Sequence, residues 1–85
     1  MSEEEKRRLT AKEAAGVAAK YLAELSNMNR LDISIEEIEL SSDEKYWLIT
    51  LGHPRSYLGT AKDYKKIKVD AETGEVISMK MRIVE

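Results

Sequence analysis

The sequence predicts an α+β fold: one N-terminal helix packed on a four-stranded antiparallel β-meander. Three observations support this prediction. Apolar residues recur at helical spacing in residues 10–25, and from residue 30 onward they follow the two-residue period of strands. Turn sequences such as SSDEK and AETGE then separate the strands. Because one helix covers one face of a sheet, we expect the other face to remain open.

The composition limits the classes of protein to which the chain can belong. Its 85 residues fit one domain, which we assign to residues 10–85 behind a flexible tail at 1–9. The absence of cysteine excludes a disulfide framework, a thiolate metal site and a cysteine nucleophile. The net charge of −2 gives no general attraction to nucleic acid. The start, MSEEEKRRLT, has no apolar run, so we expect no secretory signal, no membrane span and a cytoplasmic location.

Residues 10–25, TAKEAAGVAAKYLAEL, form the predicted helix. Thr10 and Glu13 have the spacing of a capping box, and frequent alanine favours helix. The predicted apolar stripe consists of Ala14, Val17, Ala18, Tyr21, Leu22 and Leu25. Glycine in a helix interior lowers helix stability by about 1 kcal/mol relative to alanine. We therefore interpret Gly16 as a position where the helix packs closely against the sheet and a Cβ would not fit. The helix ends at SNMNR, where Asn27 or Asn29 can adopt the left-handed conformation.

The first two strands differ in their apolar patterns. The first contains two apolar runs out of phase by one residue: Ile33 and Ile35, then Ile38 and Leu40. A one-residue slip would reverse the faces of the strand, so we expect a β-bulge near Glu36–Glu37. The alternative is an extended lead-in, with the strand starting near Glu36. The second strand, YWLITLG, is apolar in both phases, which predicts a central position in the sheet. The pattern favours Tyr46 and Leu48 on the open face, and the alternative is that Trp47 and Ile49 lie there.

The last two strands form a predicted hairpin. In DYKKIKVD we expect Ile67 and Val69 to face inward and Lys66 and Lys68 to face outward. Gly74 in the turn AETGE supplies a positive φ. In the final strand the predicted buried phase is Ile77, Met79, Met81 and Ile83, and the exposed phase is Ser78, Lys80 and Arg82.

The stretch YKKIKVDAETGEVISMK, residues 64–80, together with the preceding helix, resembles the PepSY domain family. The residues that match the family's hairpin pattern are Val69, Asp70, Ala71, Thr73, Gly74, Glu75 and Val76. The resemblance implies a small α+β module, cystatin-like in general plan, without catalytic residues. Family members occur in propeptides of thermolysin-type metallopeptidases and in envelope proteins, which implies an inhibitory or regulatory binding role.

The segment GHPRSYLGTAKDY, residues 52–64, holds the only histidine and the only proline. A catalytic histidine needs an orienting partner and usually a nucleophile. No Gly-x-Ser-x-Gly elbow surrounds Ser56, and Asp63 is the one candidate partner for His53. We therefore expect no enzyme activity. Metal-ligand spacings and a phosphate-binding glycine loop are also missing, so we expect neither metal nor cofactor.

The same segment has a structural interpretation. Gly52 would end a central strand, because Pro54 cannot donate to a ladder, and Tyr57 and Leu58 would cover the end of the core. Loops at the end of a rigid sheet often hold binding residues. His53, Arg55 and Tyr57 are therefore candidates for binding a partner.

The open sheet face provides the other candidates: Tyr46, Leu48, Lys66, Lys68, Lys80 and Arg82. An apolar centre with a charged rim is the anatomy of a modest interface. We therefore expect a non-catalytic binding or regulatory module with an acidic protein partner. One alternative is a homodimer, in which Glu37 and Glu39 would have to interleave with the basic residues. The other alternative is nucleic-acid binding, in which aromatic residues stack on bases and lysines contact phosphates. The glutamates of the first strand and the lack of phenylalanine argue against it.

Overall fold

The computed structural model describes residues 8–55 and 59–82, and confirms the α+β fold. Helix α1 spans Ala11–Ser26, and a short 3-10 helix spans Arg30–Asp32. The strands are β1 (Ser34–Leu40), β2 (Tyr46–Pro54), β3 (Lys62–Asp70) and β4 (Val76–Arg82). They form one antiparallel sheet in the order β1-β2-β3-β4. No helix in the described ranges has the length and apolar character needed to cross a membrane.

The predicted capping box begins α1. Thr10 is extended, with ψ of 164°, and its hydroxyl accepts a hydrogen bond from the Glu13 N–H at 3.1 Å. The Glu13 carboxylate accepts from the Thr10 N–H at 2.9 Å. At the other end Asn27 adopts the left-handed conformation with φ of 54°, while Asn29 caps the 3-10 helix through the Leu31 N–H. Both ends of the helix are therefore fixed by residues that the sequence identifies.

The buried face of α1 matches the predicted stripe only in part: Ala14, Ala18 and Leu22 are buried as predicted, and Val17 packs against the core. The residues that are fully buried are Ala14, Ala15, Ala18, Ala19 and Leu22. Alanine lets a helix approach a sheet closely, and four of these five buried residues are alanines, with Leu22 as the large one among them. Tyr21 is exposed, and Leu25 is 59% exposed. Gly16 is exposed as well, with no atom within 4 Å of the position of a Cβ, so the packing role predicted for it is wrong.

The expected β-bulge is present in β1. Ile35 lies opposite Leu51 and Glu37 lies opposite Thr50, which leaves Glu36 as the extra residue. The bulge restores the phase, so that Ile38 lies opposite Ile49 of the core. The 3-10 helix precedes Ile33, and the strand begins at Ser34, ahead of the bulge. The alternative start near Glu36 is therefore wrong.

Strand β2 is central, as predicted, and one of its phases faces α1. Trp47, Ile49 and Leu51 belong to or pack against the core, together with Ile67 and Val69 of β3. The opposite phase, which includes Tyr46 and Leu48, therefore lies on the face that points away from α1.

Strand β2 does not end at Gly52 as predicted, but continues through Pro54, which lies opposite Lys62. The Arg55 N–H donates to the Ala61 carbonyl at 3.0 Å, so the nitrogen of Pro54 points to the other side, towards β1. Strand β1 pairs only as far as Gly52. Pro54 therefore lies where the ladder requires no donor.

The β3–β4 hairpin has the predicted positive φ at Gly74, with a value of 79°. The Asp70 carboxylate accepts from the Thr73 N–H at 2.9 Å and the Glu72 N–H at 2.8 Å, and these bonds lower the pKa of Asp70. A register shift follows Lys68, so that Val76 lies opposite Val69 and packs against the core.

Part of the buried phase predicted for β4 is wrong. Met79 packs against the core, but Ile77 is exposed and Met81 is 63% exposed. Ile77 is the residue that the register shift between Ser78 and Val76 leaves without a partner on β3, and Met81 lies near the end of an edge strand. Ile83 lies outside the described residues.

Candidate functional site: the open sheet face

The open sheet face is formed by the strand positions that alternate with the core residues. The described side chains on it are Tyr46, Leu48 and Thr50 of β2, Tyr64, Lys66 and Lys68 of β3, and Ser78 and Lys80 of β4. Arg82 lies opposite Tyr64 in the register, and its side chain lies outside the described residues. The structure therefore brings together five of the six residues predicted for this face and fixes the sixth by its backbone.

A shallow depression lies on this face, lined by Leu48, Lys66, Lys68, Ser78 and Lys80. Lys66 lies directly opposite Lys80 on the neighbouring strand, and both are exposed. Like charges in directly opposed positions destabilise a sheet. Neither lysine makes an ion pair within the described residues. The positive charge of the depression is therefore not neutralised by that part of the chain.

Lys68 is held differently from its two neighbours. Its Nζ lies 4.7 Å from the centroid of the Tyr46 ring, in a cation–π contact. The contact fixes the ammonium at the edge of the depression and covers one side of the Tyr46 ring. Thr50, on the same face, is only 1% exposed. The centre of this face is therefore packed, although α1 lies on the other side of the sheet.

Strand β1 gives the face an acidic margin. Glu37 lies opposite Thr50 and Glu39 lies opposite Leu48. The extra residue of the bulge, Glu36, accepts a hydrogen bond from the Ser34 hydroxyl at 2.6 Å and pairs with Lys62 at 3.2 Å. These two hydrogen bonds lower the pKa of Glu36, the Ser34 bond more strongly. The face thus changes from acidic at β1 to basic at β3 and β4.

His53 lies on the helix side of the sheet and is 8% exposed. Its Nδ1 is 3.1 Å from the Pro54 carbonyl oxygen, and its Nε2 is 3.1 Å from Nζ of Lys65. An ammonium group only donates, so Nε2 accepts and the ring proton is on Nδ1, from which it is donated to Pro54. His53 therefore does not present its ring to a partner in solution.

Arg55 and Asp63 form an ion pair at the end of β2 and β3. The carboxylate of Asp63 lies 2.9 Å from Nη2 and 3.0 Å from Nε of Arg55. The Arg55 hydrogen bond is the main cause of the lowered pKa of Asp63. Asp63 thus pairs with Arg55, and not with His53 as considered from the sequence. Tyr57, the third residue predicted for this loop, lies outside the described residues.

Sequence reasoning missed the roles of Lys62 and Lys65. The strand predicted from the sequence, DYKKIKVD, starts one residue after Lys62, and the ion pair of Lys62 with Glu36 depends on the bulge that turns Glu36 onto the open face. Lys65 contacts His53 only because β2 continues past Gly52. No local pattern identifies either contact, since both depend on the register between strands.

Residues 8–55 and 59–82 contain no cluster of three or more histidine or acidic side chains that could hold a metal ion. Comparison with known proteins gives no further guide. No family model, no curated protein and no solved structure matches the chain.

Proposed function

We propose that the chain is a non-catalytic binding or regulatory module that binds an acidic protein segment through the open sheet face. The observation on which this proposal rests is the direct opposition of Lys66 and Lys80 beside Leu48. A carboxylate placed between the two ammonium groups would relieve their repulsion. Leu48 and the lysine stems offer apolar contact for a neighbouring side chain. The proposed function includes no chemical step.

We also propose that the chain is a PepSY-like module. Two features support this proposal: the helix precedes four antiparallel strands, and residues 69–76, VDAETGEV, join β3 to β4. An inhibitory or regulatory role for the open face would agree with the resemblance. Cytoplasmic location stays a prediction from the sequence.

A synthetic peptide of alternating glutamate and leucine is the first probe of the open face. We expect amide shifts in an NMR titration to concentrate at residues 46–50, 64–68 and 78–81. The Lys66→Gln/Lys80→Gln double variant should lose most of this binding, because it removes the unneutralised charge. The matched control is Lys12→Gln/Lys20→Gln, two exposed lysines of α1. Equal binding by both double variants would contradict the proposal.

Nucleic-acid binding is the second candidate, since the face combines lysines with Tyr46 and Tyr64. The Lys68 ammonium covers one side of the Tyr46 ring, which leaves less of it for base stacking. Single-stranded oligothymidylate therefore forms the second arm of the titration. Tighter binding of this probe than of the acidic peptide, with loss in Tyr64→Ala, would replace protein binding with nucleic-acid binding.

A further inference from the structure

We propose that the two edge strands of the sheet are complementary, and that chains associate head to tail with β1 of one copy beside β4 of the next. The sheet order leaves β1 and β4 at the edges. Edge strands present unpaired N–H and C=O groups to other chains. A second copy of this chain fits the outer side of β4, because its β1 edge is rich in glutamate whereas β4 carries Lys80 and Arg82.

The topology allows this pairing without a change of fold. In an antiparallel meander of four strands, β1 and β4 run in opposite directions. A copy that is translated across the sheet therefore places its β1 antiparallel to β4 of its neighbour. Both helices then lie on the same side, and the two open faces become continuous.

The backbone groups that point outward follow from the observed ladder. The Ser41 N–H donates to the Tyr46 carbonyl at 2.8 Å, so alternation points the N–H and C=O groups of Ile38 and Leu40 away from β2. On the other edge, the Asp70 N–H donates to the Glu75 carbonyl at 2.8 Å. With Lys66 opposite Lys80, the same alternation points the groups of Met79 and Met81 outward.

One register satisfies these backbone groups and the side chains together. Pairing Ile38 with Met81, and Leu40 with Met79, joins outward-pointing groups on both strands. These four side chains belong to the helix side, where Ile38 is 37% exposed and Met81 is 63% exposed. The same register places Glu39 directly opposite Lys80 on the open face. Position 82, an arginine, then lies opposite Glu37.

The charges favour this arrangement over a two-fold dimer. A β4–β4 contact would bring two basic strands together, and a β1–β1 contact would bring together two strands rich in glutamate. The bulge at Glu36 limits the regular part of β1 to residues 37–40, so we expect weak association. A head-to-tail contact that does not close into a ring continues as an open series.

Sedimentation equilibrium from about 10 µM to about 1 mM tests the proposal over the range of weak affinities. We expect the average mass of the unaltered chain to rise with concentration without a plateau at two chains, and to fall with added salt. Glu39→Lys alone and Lys80→Glu alone should each weaken association by about fivefold or more. An equimolar mixture of the two variants should restore it, because each supplies the charge that the other needs. Controls of the same charge change are Glu24→Lys and Lys20→Glu on α1.

Cross-linking tests the register separately, since the chain has no cysteine of its own. A Glu39→Cys chain should form a disulfide with a Lys80→Cys chain faster than with a Ser78→Cys chain. Faster reaction at position 78 would overturn the pairing of Glu39 with Lys80.

Three results of the sedimentation experiment would overturn the proposal. The unaltered chain could keep the mass of one chain at every concentration. Glu39→Lys could associate as well as the unaltered chain, with a plateau at two chains, which would indicate a two-fold contact through β4. The mixture of Glu39→Lys and Lys80→Glu could remain dissociated, which would show that the two edges do not meet.

Discussion

The indole Nε1 of Trp47 donates a hydrogen bond to the carbonyl oxygen of Leu9 at 3.0 Å. The N–H of Leu9 in turn donates to the Ala71 carbonyl at 2.7 Å, and its side chain packs against the core. The residue that precedes the helix cap is thus attached to both β2 and the β3–β4 turn. Although Leu9 was assigned from the sequence to a flexible tail, its contacts are those of the folded domain.

We expect Trp47→Phe to lower the free energy of unfolding by about 1 kcal/mol, within the range for one hydrogen bond. The variant keeps an aromatic ring against the core but leaves the Leu9 carbonyl without its donor. Urea unfolding followed by far-UV circular dichroism measures the loss. Tyr46→Phe, which removes a hydroxyl from the adjacent residue on the open face, is the control. An equal loss in both variants would show that the Leu9 contact does not contribute.

Gly74→Ala should destabilise the hairpin by more than about 1 kcal/mol, because alanine resists the positive φ of this position. The space around the residue is not the cause. A Cβ would lie 3.4 Å from Leu9 Cδ2, which is an ordinary contact. Thermal unfolding is a sufficient measurement, and an unchanged midpoint would mean that the turn can adopt another conformation at no cost.

Gly16→Ala should have the opposite effect and stabilise the chain by about 0.4–1 kcal/mol. Gly16 is exposed in the middle of α1, and a Cβ there meets no atom within 4 Å. The substitution therefore improves helix propensity without a steric cost. Gly16→Ala and Gly74→Ala add the same methyl group, so a comparison of their free energies of unfolding separates backbone strain at Gly74 from the general effect of the substitution. A loss of stability would contradict the exposed, uncrowded position of Gly16 in the helix.

Most of the fold could be predicted because its signals are local. The Thr10 capping box, the phase slip in β1 and the turn at Gly74 each depend on a few neighbouring residues. The buried face of α1 could not be predicted in the same way. Hydrophobicity alone predicts that Tyr21 and Leu25 are buried, but both are exposed. The residues buried in their place include Ala15 and Ala19, because small side chains let the helix approach the sheet closely.

The candidate site shows the same division. Alternation along β3 was enough to place Lys66 and Lys68 on the open face. The positions of His53 and Arg55 could not be predicted, because they depend on where β2 ends. That end depends on which edge of β2 is paired at Pro54. Because β2 continues through His53, the histidine belongs to the sheet and is buried.

Acid should weaken the contacts of Glu36. Its carboxylate accepts from the Ser34 hydroxyl at 2.6 Å and pairs with Lys62 at 3.2 Å, and these bonds hold its pKa below the ordinary value of 4.5. A carboxylate with a depressed pKa in the folded state stabilises that state above its unfolded pKa. This stabilisation is lost as the pH falls through the folded pKa. The free energy of unfolding should therefore fall as the solution is acidified below about pH 4.5.

Comparison with Glu36→Gln isolates this contribution, because Asp43, Asp63 and Asp70 also have lowered pKa values and add to the loss of stability in acid. Urea unfolding at a series of pH values should show the unaltered chain as the more stable protein near neutral pH. The difference should shrink steadily with acidification, since protonated Glu36 resembles glutamine in charge. Glu24→Gln, at an exposed position of α1, is the control for the removal of one carboxylate. A difference for Glu36→Gln that is independent of pH would show that the charge of Glu36 does not stabilise the bulge.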